Sequence, residues 1–123
     1  MKKSKIAGIA FNVPDNIVTN HDIEEMMDTT DEWIQTRSGI KERRWVLPGT
    51  PNSDLALPAC VKAIENAGIS PNDIDAIIVG TVSSDYNFPG MGPIIQRKLG
   101  IKKNIPAYDC LLYTSPSPRD QLT

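Results

Sequence analysis

Ala76-Ile77-Ile78-Val79-Gly80-Thr81-Val82 is an apolar run with no polar alternation, entered from Asp75 and left at Ser83. A strand with one wet face alternates, so this run has the pattern of a strand covered on both faces, as in a parallel sheet with helices above and below. Outward from it, helices and strands take turns. Upstream, Asn52-Ser53-Asp54 opens a helix that places Ala56, Ala59, Cys60, Ala63, Ile64 and Ala67 on one narrow face and stops at Gly68. Pro58 belongs in the first turn of a helix, which puts the start at or just after Asp54. Ser70-Pro71-Asn72-Asp73 is a capped single turn. Downstream, a helix runs from about Gly92 to Leu99, ends at Gly100, and gives way to a strand over Ile105 to Asp109. Near the start, Ile6 to Phe11 reads as a compact apolar strand, closed by Asn12, Val13 and Pro14. This alternation predicts an α/β layer fold.

Between Pro14 and Pro51 the signals are caps and charges. Thr19 or Asn20 caps a short helix with Ile23, Met26 and Met27 at helical spacing and Asp22, Glu24 and Glu25 near its positive end. Thr29-Thr30-Asp31-Glu32 has the capping-box form, launching a helix through Trp33, Ile34 and Arg37 to Gly39. Charge is sorted here. Six acids and no Lys or Arg lie between Asp22 and Glu32, whereas Arg37, Lys41, Arg43 and Arg44 are set against Glu42 alone.

Over all 123 residues, 13 Lys and Arg against 15 Asp and Glu give a net charge of −2, which excludes nucleic-acid binding through bulk positive charge. No apolar run is long enough to span a bilayer, and the apolar strand that follows Met1 to Lys5 is too short for a signal-peptide core, so the expected setting is cytoplasmic without membrane attachment. Cys60 and Cys110 make no disulfide framework, and no metal site is expected. From Cys110 the pattern breaks down. Residues 110–123 hold two prolines and no usable period, and the back-translation of Cys110 to Asp120 is similar to a transposon adapter used in sequencing libraries. They are expected to be an adapter-derived or disordered tail behind a partial N-terminal domain of residues 1–109.

Ordered strings carry a family resemblance: Val13-Pro14, Val18-Thr19-Asn20, Met27-Asp28-Thr29-Thr30-Asp31-Glu32-Trp33-Ile34, Thr36-Arg37-Ser38-Gly39-Ile40, Glu42-Arg43-Arg44, Ser53-Asp54-Leu55-Ala56, Ala67-Gly68-Ile69, Asp73-Ile74-Asp75 and Ala107-Tyr108-Asp109. In these the chain resembles the N-terminal part of 3-oxoacyl-[acyl-carrier-protein] synthase III. The resemblance implies the opening portion of a thiolase-like α/β/α/β/α sandwich, truncated here, in an enzyme that works as a homodimer. It also implies a decarboxylating Claisen condensation of a primer acyl-CoA, acetyl-CoA first, with malonyl-acyl carrier protein, and no other cofactor. A sister condensing enzyme with other primers in secondary metabolism, and a non-catalytic CoA-binding fragment, are the competing readings.

Trp33 and Arg37, four apart, share a helix face where an indole stacks on a base and a guanidinium pairs with phosphate. The resemblance makes this face the CoA mouth, assigns Thr29 to the adenine beside its capping role, and assigns Phe88 to the acyl pocket of the partner subunit. Lys41, Arg43 and Arg44 are either a positive rim toward CoA phosphates or an acidic carrier protein, or a solvated loop. The catalytic Cys, His and Asn of the family are assigned to no residue here. Cys110 departs from the nucleophile's small-residue context, Cys60 lies on an apolar helix face, and His21 stands at a helix start.

Overall fold

The computed structural model describes residues 3–110, which form two compact units: residues 13–50, and residues 3–12 with 51–110. The expected tail of residues 110–123 lies outside the described residues except for Cys110.

In the unit of residues 13–50, β1 (Ile17–Thr19) pairs antiparallel with β2 (Glu42–Arg44), Val18 opposite Arg43. Between them stand two helices, α1 (Asn20–Glu24) and α2 (Asp31–Ser38). Thr19 caps α1 in a reciprocal box with Asp22. The helix ends at Glu24, so Met26 and Met27 fall beyond it and stay exposed. The cap of α2 is Thr30, whose hydroxyl accepts the Trp33 N–H at 3.1 Å. This corrects the expected role of Thr29 by one residue: Thr30 has the extended backbone a cap needs, and the third helical position is then Trp33, not Glu32. Gly39 closes α2 in the left-handed conformation.

In the other unit, α3 (Asn52–Ala67) carries Pro58 in its second turn and begins earlier than Pro58 alone suggests. Its first turn is held from outside, by Asp85 on the Ser53 N–H and by Asn52 on Thr81 and Ser83, which offsets the donor lost at Pro58. The capped turn at Pro71–Asp73 leads into β3 (Ile77–Gly80). After the loop comes α4 (Met91–Lys98), then β4 (Ala107–Cys110), which pairs parallel with β3, Ile77 opposite Ala107 and Gly80 opposite Cys110. Helix α4 packs on both strands and against α3, burying Met91, Ile95 and Ile101.

Two strand expectations are corrected. β3 and β4 are parallel as read, but α4 covers one face only, and Ile78 on the other is 75% exposed. A strand buried on both faces needs a second layer, and none lies over Ile78 among the described residues. Residues 6–11 make no ladder. They run instead along α3, where Asn66 donates to the Ile9 carbonyl at 2.9 Å and Asn12 to the Leu55 carbonyl at 2.8 Å. Gly8 is pressed so closely on Ala63 and Ala67 that any Cβ would collide with the α3 backbone. An apolar run becomes a strand only when a neighbouring strand pairs with it.

Candidate functional site

Helix α2 holds Trp33 and Arg37, two of the three residues assigned to CoA. Trp33 is 58% exposed, and the Arg37 guanidinium carbon lies 5.9 Å from the centre of its ring, so the two present one surface with a π face and a cation. At that range an exposed cation–π contact is worth about 0.5–1 kcal/mol, enough to order the guanidinium without burying it. Thr29 stands just before the helix. Released from capping by Thr30, its Oγ1 is shielded from solvent and has no hydrogen-bond partner among the described residues. A buried hydroxyl left unpaired costs about 1–3 kcal/mol, a cost an incoming donor or acceptor relieves.

A polar brace fixes α2 beneath this surface. Asn20 is 1% exposed; its amide donates to Asp31 Oδ1 at 2.7 Å and to the Ile40 carbonyl at 2.8 Å, and its Oδ1 accepts from Arg43 at 2.6 Å. Arg43 also donates to the Thr19 carbonyl at 3.1 Å. Asp31 Oδ2 accepts from Gln35 at 2.7 Å, and Glu24 accepts the Asp31 N–H at 2.5 Å. Hydrogen bonds from Asn20 and then Gln35 hold the Asp31 carboxyl below its ordinary range. Glu24 is held down by His21 first and the Asp31 N–H second, while the same His21–Glu24 hydrogen bond raises the imidazole.

The positive rim is therefore narrower than the sequence suggests. Arg43 is spent on Thr19 and Asn20, and Arg44 reaches the Asp15 carbonyl at 3.3 Å and Glu42 at 3.8 Å. Sequence reasoning missed Asn20 and Asp31 as positioning groups; an Asn beside a Thr cap gives no sign that its amide is buried. Of the remaining candidates, Phe88 belongs to the other unit, on the exposed loop between β3 and α4, 91% exposed. His21 pairs with Glu24 at 3.0 Å, a helix-start role. Burial pushes the Cys60 thiol up, against use as a nucleophile. Cys110 closes β4 opposite Gly80. Among the described residues no group of His, Cys, Asp and Glu is placed to hold a metal, and no helix is long and apolar enough to cross a membrane.

No protein-family model matches the chain. Curated proteins do. The beta-ketoacyl-[acyl-carrier-protein] synthase III of Fusobacterium nucleatum is 49% identical over 109 residues, covering 89% of this chain and 33% of the relative. That of Listeria welshimeri is 52% identical over 97 residues, covering 79% and 31%. The chain is homologous to beta-ketoacyl-[acyl-carrier-protein] synthase III. It spans about a third of the length of these curated synthase III relatives. Solved structures agree. The synthase III of Aquifex aeolicus superposes with a TM-score of 0.80 at 37% identity, over 87% of this chain and 34% of that one. A priming beta-ketosynthase from a polyketide pathway gives 0.80 at 29%, over 87% and 32%. The fold is accordingly a partial, thiolase-like α/β arrangement, and the chain aligns with a transferase family of condensing enzymes.

Proposed function

We propose that the protein to which this chain belongs condenses a primer acyl-CoA, acetyl-CoA first, with malonyl-acyl carrier protein to start fatty-acid synthesis, as a cytoplasmic homodimer. The observation that carries this is the α2 surface: an exposed indole and guanidinium one turn apart, with a hydroxyl at the head of the helix that has no partner among the described residues. Trp33 stacks on the adenine, Arg37 pairs with a phosphate, and Thr29 Oγ1 takes up a polar atom of the base. A thiolate of the complete protein attacks the acyl-CoA thioester, forming a new thioester as CoA leaves. Malonyl-acyl carrier protein then loses carbon dioxide, and its carbanion attacks that thioester, returning the thiolate. No residue of this chain is assigned to those covalent steps, so the chain alone is inactive.

Phe88 belongs in this reading to the partner subunit's acyl pocket, where a ring limits primer length. The likeness to a polyketide-priming enzyme favours a second reading, in which longer or branched primers are used for a secondary metabolite. Assaying the complete protein with acetyl-CoA and octanoyl-CoA, each with malonyl-acyl carrier protein, separates the two. Turnover of acetyl-CoA well above octanoyl-CoA supports the first, and failure of acetyl-CoA sinks it.

A further inference from the structure

The loop of residues 81–90 does something a free loop would not: it carries two large apolar side chains, Tyr86 and Phe88, into solvent. It is tied at both ends. At the near end, Asn52 donates to the Ser83 carbonyl at 2.9 Å and to Thr81 Oγ1 at 3.2 Å, and Asp85 Oδ1 accepts the Ser53 N–H at 3.1 Å. Ser53 is itself buried, and its hydroxyl accepts from Lys98 at 2.6 Å. Asp85 thus caps α3 from a distance of 32 residues in sequence. Burial opposes its ionisation, but the Ser53 hydroxyl and the Ser53 and Asn52 N–H groups prevail and hold its carboxyl low.

At the far end, Asp109 Oδ1 accepts the Gly92 N–H at 2.9 Å, capping α4, which has no cap of its own. The carboxylate sits so close to Gly90 that a Cβ there would overlap it. A side chain at this position would have to push that carboxylate aside. Between the two anchors lie Tyr86, Asn87, Phe88 and Pro89, a span too short to wander far from its ends.

We propose that Asp85 and Asp109 are positioning residues for Phe88, two carboxylates that cap α3 and α4 from opposite ends of one loop and so fix the ring that discriminates acyl primers by length. This rests on the acyl-pocket reading of Phe88 given above. Neither carboxylate touches the primer. Each acts through the loop it holds.

The test measures kcat and KM for acetyl-CoA and octanoyl-CoA in the complete protein. Phe88→Ala, Asp85→Ala and Asp109→Ala each shift the ratio of the two kcat/KM values in the same direction, by about tenfold. Adding Asp85→Ala to Phe88→Ala shifts it no further, because the loop then has no ring to aim. Asp85→Asn, which keeps an oxygen for the Ser53 N–H, brings the ratio back to within about twofold of the parent. If Asp85→Ala fails to fold, Asn52→Ala frees the same end of the loop and shifts the ratio in the same direction. An unchanged ratio in the loop variants beside a shifted one in Phe88→Ala overturns the proposal, as does an equal loss with both primers. An unchanged ratio in Phe88→Ala overturns the acyl-pocket reading itself.

Discussion

His21 and Glu24 show how far one pair of side chains can be read. Their hydrogen bond raises the imidazole and lowers the carboxyl, so both are ionised from Glu24's depressed value up to His21's raised one. The histidine's contribution is full below the ordinary imidazole range and is lost as pH rises through its raised value. The contributions of Glu24 and Asp31 are full above the ordinary carboxylate range and are lost as pH falls through their depressed values. An NMR titration of His21 is expected to give a midpoint above the usual imidazole value, and Glu24→Gln to bring it back. A midpoint at or below the usual value in the parent would contradict the pairing. The Trp33–Arg37 surface was legible in the sequence because residues four apart on a helix must be neighbours. The capping register was not: Thr29 and Thr30 are both good caps, and only backbone geometry chooses Thr30.

At the scale of elements, α2 is short and has no buried residue, so its place depends on the brace beneath it. Asn20→Ala removes the acceptor for Arg43 and the donor to Asp31 and Ile40 together, leaving a half-buried guanidinium short of one partner. The expected loss is about 2 kcal/mol in denaturant unfolding of the complete protein, with weaker CoA binding as α2 loosens. An unchanged midpoint would show that the brace contributes nothing. The helices of the other unit were legible from caps and glycine stops, as at Ser70 and Gly68. What misled was context. Pro58 suggested a later start for α3 because the groups that hold its first turn, Asp85, Thr81 and Ser83, come some 30 residues later in sequence. Residues 6–11 and 76–82 have the composition of strands, but pairing and cover depend on neighbours that no local pattern specifies.

For the molecule as a whole, the apolar surface of Ile6, Ile9, Phe11, Ile78, Val82 and Tyr108 is more than a small soluble chain usually leaves open. The 123-residue chain expressed by itself is expected to bind a hydrophobic dye and to self-associate in sedimentation. A dye-negative monomer that melts cooperatively would contradict this. The likeness to the synthase III relatives runs over 109 residues and takes in the string around α2, where fold and proposed ligand surface coincide.

The central claim is that this α2 surface binds acyl-CoA, and the KM for acetyl-CoA in the Arg37→Ala variant of the complete protein tests it most directly. Loss of one charge-assisted phosphate contact is expected to raise KM about tenfold or more while kcat at saturation changes little. A KM equal to that of the parent would contradict the claim.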